Sequence, residues 1–135
     1  GGAASRVFPL EVYLIVQEGI FQYSSVNHSL VCYARRDIRH QLAHAALDQD
    51  SVHKAPAVFI IAAVYERTAK KYGNRAERYV KIEAGHAAQN LLLQSTALGL
   101  GAVPIGAFHD EKVKQVMNLP VSQEPLYLIP VGRKR

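Results

Sequence analysis

The segment Gly99–Phe108 (GLGAVPIGAF) sets glycines, alanines and one proline around a short apolar stretch. Small residues of this kind let a planar ligand lie on the main chain and take hydrogen bonds from exposed N–H groups. A tight helix-to-strand connection would use the same residues, so composition leaves both readings open. Basic side chains gather in two places: Arg67, Lys70, Lys71, Arg75, Arg78 and Lys81, and then Arg133, Lys134 and Arg135. With 16 basic against 11 acidic residues and a net charge of +5, phosphate-bearing ligands, nucleic acid or acidic partners are all permitted. For most of the first cluster the reading is a solvated helix face. Nucleic acid is set aside, because no aromatics interleave the basic residues and no recognition motif is present.

Other chemistry is excluded by pattern. There is no GxGxxG fingerprint, no phosphate-loop lysine motif and no GxSxG elbow, which removes the commonest nucleotide and hydrolase readings. Six histidines invite a metal, but none is paired with a second ligand set at metal-binding spacing. His40 and His44 stand four apart on an expected helix and read as surface polar residues, so no metal site is expected. His86 reads as a packed or hydrogen-bonded helix residue. The single cysteine, Cys32, cannot form an internal disulfide and is expected half-buried on a strand in a reducing, cytoplasmic setting.

The elements that must position these residues follow from periodicity. Leu10–Val16 is rich in β-branched and aromatic residues and predicts a buried strand. A turn at Glu18-Gly19 leads into a hairpin, Ile20–Tyr23 and Ser29–Tyr33, around a polar tip. Arg36–Leu47 has helical spacing of Ile38, Leu42 and Ala45 or Ala46. Pro56 opens Ala57–Tyr65, an unbroken apolar run expected at the centre of a sheet. A helical stretch from about Glu66 breaks at Gly73-Asn74, and Arg75–Leu98 predicts the longest helix. Its apolar positions are Val80, Ala84, Ala87, Leu91 and Leu98, and Gly99 closes it. Leu100–Ala107 is strand-like, Asp110 is expected to cap a helix over Glu111–Met117, and Pro125–Val131 predicts a last strand. The result is an α+β fold: a mixed, largely antiparallel sheet flanked by helices, with a long central helix. That helix is apolar over more than one stripe, which favours a homodimer.

A chain of 135 residues with 49% hydrophobic and 20% charged residues suits one globular domain, residues 1–135, and not a disordered or collagen-like segment. The apolar runs are too short to span a bilayer and no signal peptide opens the sequence, so no membrane association is expected. The only methionine is Met117, which implies processing or a longer parent.

Two stretches carry a more specific likeness. Arg78–Leu93 (RYVKIEAGHAAQNLLL) followed by Ala97–Phe108 (ALGLGAVPIGAF) resembles the nitroreductase superfamily of FMN-dependent oxidoreductases. The resemblance is nearest to the branch holding the azoline (thiazoline/oxazoline) dehydrogenases of peptide-modifying clusters. Phe8–Tyr13 (FPLEVY) and Leu126–Arg133 (LYLIPVGR) support it in the same order.

This resemblance implies a homodimer with FMN at the subunit interface and the long helix in the dimer core. It implies hydride flow from NAD(P)H through flavin to an acceptor, or, in the azoline branch, oxidation of a heterocycle on a small molecule or modified peptide. By the same likeness Pro104, Ile105, Gly106 and Ala107 form the segment over the flavin, with a main-chain N–H near N5. Arg133 and Arg135 match basic residues that hold the FMN phosphate, a task guanidinium groups suit by bidentate pairing. Ala3, Ala4 and Ser5 fall where the family runs a small, polar segment along the flavin edge. Lys71 and Tyr72 resemble the lysine–tyrosine pair that the azoline branch uses in catalysis, where an amine and a phenol can move protons; Lys70–Gly73 also reads as an ordinary exposed helix end.

Two departures stand out. Many relatives have Glu-Gly where this chain has Gly106-Ala107, which removes a carboxylate contact. The family's early Arg-x-Ser-x-Arg-like helix, which grips the FMN phosphate, has no counterpart in the sequence from Gly1 onward, and Arg35-Arg36-Asp37 is misplaced to replace it. Each lost charge-assisted hydrogen bond costs on the order of 1.5–3 kcal/mol, so FMN binding is expected to be weakened or absent. The alternative function is therefore a flavin-free remnant of the same fold acting as a binding or interaction protein.

Overall fold

The computed structural model describes residues 9–24, 26–65 and 75–134. Its strands are β1 (Leu10–Val16), β2 (Gly19–Ser24), β3 (Ser29–Ala34), β4 (Ala57–Val64), β5 (Leu100–Ala102) and β6 (Gln123–Arg133). Its helices are α1 (Arg39–Ala45), α2 (Asp50–His53), α3 (Ala76–Ala97) and α4 (Asp110–Met117). The strands form one sheet in the order β3-β2-β1-β4-β6-β5, and every pairing in it is antiparallel. The expected α+β architecture with a largely antiparallel sheet is what the chain adopts.

β4 lies between β1 and β6 and is apolar throughout because both of its faces are covered. Alternation along a strand sends Val58, Ile60 and Ala62 to one side and Phe59 and Ile61 to the other. The first side meets Tyr13, Ile15, Leu42, Val52, Val113, Met117 and Leu128, so α1, α2 and α4 cover it. The second meets Ala84, Ala88 and Ile129, which makes α3 its cover. A fully buried Val or Ile contributes roughly 1.5–3 kcal/mol, so this one strand ties the two apolar layers together. Where the core contains a polar atom, it has a partner: the Tyr13 hydroxyl donates to Gln123 Oε1 at 2.6 Å.

The long helix contacts the sheet through small residues. Val80, Ala84, Ala88 and Ser95 are buried, and the Ser95 hydroxyl is absorbed by the Leu91 carbonyl at 2.8 Å. Two expectations change here. Ala88 is more deeply buried than Ala87, and Leu98 is 75% exposed, because the helix ends at Ala97 and the chain turns away at Gly99, which has φ +74°. Ile82 and Leu93 are exposed; steps of three and four residues set them on the side opposite the buried stripe. The segment from Glu66 to Asn74 lies outside the described residues.

Smaller corrections have local causes. His109, not Asp110, occupies the N-cap of α4, and no side chain caps it. Asp110 and Glu111 instead sit in the first turn, where negative charge complements the helix dipole. Cys32 is exposed on β3, because β3 is an edge strand whose residues Leu30, Val31 and Cys32 extend past the helical cover.

Gly19 opens β2 with φ +152°, and a Cβ there would come within 2.3 Å of the Ala34 carbonyl oxygen. The hairpin closes on this residue because no side chain fits. Gly19→Ala should cost about 2–4 kcal/mol, read as a lower midpoint in urea with an unchanged slope.

Candidate functional site

The glycine-rich segment leaves the sheet at Pro104. β5 pairs with β6 for only three residues, Leu100↔Arg133 to Ala102↔Val131, before proline interrupts the ladder. The chain touches the sheet once more at Ile105, which exchanges both hydrogen bonds with Leu128, at 2.7 and 3.0 Å. Ile105 is buried while Pro104, Gly106 and Ala107 are exposed. Neither the Gly106 N–H nor the Ala107 N–H donates to another described residue. A Cβ on Gly106 would meet nothing within 4 Å, so the packing of the chain itself does not require glycine there. This geometry offers two N–H donors without an acceptor among the described residues, beside open space on the Cβ side of Gly106.

The segment is held from below by a residue that the sequence did not single out. Gln49 Nε2 donates to the Ala46 carbonyl at 2.9 Å and to the Ala107 carbonyl at 2.8 Å. The His109 N–H adds a bond to the Ala45 carbonyl at 2.9 Å. The end of α1 and the start of α2 thus fix the two sides of Phe108. Just before Gln49, Leu47 and Asp48 both have left-handed backbone, φ +62° and +54°. That conformation costs roughly 1–2 kcal/mol for a residue with a Cβ. Asp48 is held in it by two imidazoles: His53 Nε2 donates at 3.0 Å and His44 Nδ1 at 3.2 Å. Hydrogen bonding by His53, with His44 adding, keeps the Asp48 carboxyl below its usual value. His40 meets the His53 ring edge-on to tilted, centroids 6.1 Å apart. No group of three or more His, Cys, Asp or Glu among the described residues is arranged to hold a metal ion.

Arg133 closes β6 opposite Leu100. It is exposed, five residues from Leu128, which spans about 17 Å at strand rise. The main-chain donors and this guanidinium therefore lie along one edge of the sheet, and a ligand touching both must be elongated. His86 is exposed and stands 3.9 Å from Glu83, a loose ion pair on the surface of α3. Ala3, Ala4, Ser5, Lys71, Tyr72 and Arg135 lie outside the described residues.

Comparison with known proteins adds a family. A model of the nitroreductase family matches residues 3–133. The chain belongs to the nitroreductase family. The Methanocaldococcus jannaschii protein MJ1384, which carries a nitroreductase name, is 45% identical over 138 residues, covering 98% of this chain and 69% of its own length. A solved nitroreductase-named structure from Anabaena variabilis superposes with TM-score 0.86 at 28% identity, covering 94% of this chain and 27% of that one. The Escherichia coli microcin synthetase McbBCD complex, with truncated pro-MccB17 bound, gives TM-score 0.86 at 21% identity over 95% of this chain and 53% of that chain. At that identity the likeness is one of fold. The chain thus spans about two-thirds of the Methanocaldococcus jannaschii protein, a third of another curated relative, and between a quarter and three-fifths of the first solved structures it matches.

For this nitroreductase-family chain, the described residues fit a flavin. Gly106 leaves its Cβ side open, the Gly106 and Ala107 N–H groups are unused, and Arg133 stands at the far end of the same edge.

Two outcomes follow. Gln49→Ala should lower stability by about 1 kcal/mol and speed amide exchange from Ile105 to Phe108, measured by hydrogen–deuterium exchange. Because the Asp48 carboxyl is held below its usual 3.8, its stabilising effect is complete above that value and is lost as pH falls through the lowered one. Asp48→Asn, which tolerates the same backbone, should therefore melt with a shallower loss of stability below pH 3.8 than the parent chain.

Proposed function

We propose that residues 1–135 form one nitroreductase-like domain of an FMN-dependent oxidoreductase that works as a homodimer in the cytoplasm. The observation that carries this reading is the pair of unused donors at Gly106 and Ala107 under open space, in the segment that resembles the family's flavin contact. FMN, when bound, supplies hydride acceptance and donation. The Gly106 and Ala107 N–H groups would hold the ring, with Pro104 and Ile105 shaping the approach. Arg133 and Arg135 would pair with the phosphate, and Ala3, Ala4 and Ser5 would border the flavin edge. NAD(P)H is the proposed donor, and the acceptor or reductant is a small molecule or a heterocycle-bearing peptide, as in the azoline branch. Lys71 and Tyr72 are the proposed proton-transfer pair, suited by an amine and a phenol side by side.

Dimerisation is supported by the outer side of α3, where Ile82 and Leu93 are exposed on a helix whose opposite stripe is already buried. Two apolar side chains left in water on the same helix face are what a second copy would cover. Among the described residues, no helix is long and apolar enough to cross a membrane.

Purified protein should be yellow, keep a flavin spectrum through dialysis, and sediment as a dimer. Substituting Lys71→Ala or Tyr72→Phe should slow azoline oxidation at least tenfold while leaving the flavin spectrum in place. A colourless protein that takes up no added FMN would instead favour the flavin-free remnant. Unchanged turnover in both variants removes their catalytic role.

A further inference from the structure

At the end of the sheet nearest Arg133, the fold brings a further cation, Lys54, beside the C-terminal basic residues. In β4 and β6 the register Ala57↔Val131 brings the approach to β4, Lys54–Pro56, alongside the last residues of β6. Pro56 Cδ lies 3.2 Å from where a Gly132 Cβ would stand, so glycine lets these two segments pack closely without pressing on the proline ring. On the other flank Lys134 lays its stem against Gly101, its Cγ 3.6 Å from a Cβ built there. The result is an open groove of about 720 Å³ lined by Ser51, Lys54, Pro56, Val103, Arg133 and Lys134, among others.

Its charge is one-sided. Lys54, Arg133 and Lys134 all face the groove, and no Asp or Glu lines it. None of the three makes an ion pair or side-chain hydrogen bond with a described residue. Elsewhere three basic groups are held in ion pairs: Arg39 with Asp37, Lys81 with Glu77, Lys114 with Glu124. Three cations without an ion-pair partner among the described residues, set around one concavity, raise the local potential and draw an anion. The Ser51 hydroxyl adds a donor, and Pro56, Val103, Pro130 and Val131 supply apolar wall. A groove of this size takes an organic molecule rather than a bare ion.

We infer that Lys54, from the link between α2 and β4, is a phosphate-binding residue of this groove, acting with Arg133 and Lys134 on the terminal phosphate monoester of FMN. The inference rests on the chain binding flavin. It adds a cation from a part of the chain distant in sequence from the C-terminal basic run. The donors at Gly106 and Ala107 and this cluster mark the two ends of the same β6 edge, as an elongated ligand with one charged end requires.

The test compares FMN with riboflavin, which lacks the phosphate, by fluorescence titration of the purified chain and of Lys54→Gln. Lys112→Gln, an exposed lysine on α4 away from the groove, serves as the control. The expected result is that Lys54→Gln weakens FMN about five- to tenfold and flattens its salt dependence. Riboflavin affinity and the circular dichroism spectrum should stay unchanged, and Lys112→Gln should bind like the parent. Equal losses for FMN and riboflavin, no loss, or a loss confined to NADPH affinity would overturn the assignment. If the parent chain binds riboflavin and FMN equally, the flavin reading stands and the phosphate cradle falls. If it binds neither, both fall together.

Discussion

Everything else in this fold is arranged around one demand: β4 is apolar on both faces and must be covered twice. Val58 and Ile60 require one apolar layer and Ile61 another, at roughly 1.5–3 kcal/mol for each large side chain buried. A strand with two buried faces cannot sit at an edge, so β1 and β6 flank it. The long helix takes one face with alanines, which let its backbone come close, while three shorter helices take the other with larger side chains. Because β6 pairs with β4 along nearly its whole length, the position of Arg133 is set relative to Lys54 by the core itself. The cationic groove is a consequence of that register.

The same constraint runs out at the far edge, and the site begins there. β5 is three residues long because Pro104 has no N–H to continue the ladder. One more bridge at Ile105 keeps the chain against β6, after which the Gly106 and Ala107 N–H groups find no acceptor among the described residues. Holding such a segment without ladder bonds needs another fastening, which Gln49 supplies. Its own position depends on two consecutive left-handed residues, Leu47 and Asp48, and the histidines that grip Asp48 offset part of their strain. Backbone strain of this kind collects beside functional segments.

The core was legible in the sequence where a single element determines its own character. The run Leu10–Val16, the apolar block before Tyr65 and the long helix all match the structure to within a residue or two, because burial on one or two faces leaves a direct imprint on composition. Leu98 was misjudged because its helical spacing continues past the point where Gly99 turns the chain. Cys32 was misjudged because edge position is a property of the whole sheet, not of the strand. Gln49 was invisible for a different reason: its partners are main-chain carbonyls at Ala46 and Ala107, and a contact across 58 residues with no side chain on the other end leaves no pattern. Lys54 could have been noticed as a cation before a central strand, but only the β4–β6 register sets it beside Arg133.

The absence of a carboxylate at Gly106 and Ala107 determines what this edge can recognise. Pro104 has no donor, and both main-chain groups of Ile105 are committed to Leu128. The Ala107 carbonyl is committed to Gln49. That leaves the segment with the Gly106 and Ala107 N–H groups as its offered polar contacts from donors, and with no side-chain acceptor at either residue. A ligand face presenting hydrogen-bond acceptors is therefore matched, and one presenting donors finds no side-chain partner there. With cations at the other end of the edge, the side chains and the Gly106 and Ala107 N–H groups along it suit a ligand that brings acceptors and negative charge. Gln49 adds to that polarity by engaging the Ala107 carbonyl, one acceptor fewer beside the two donors.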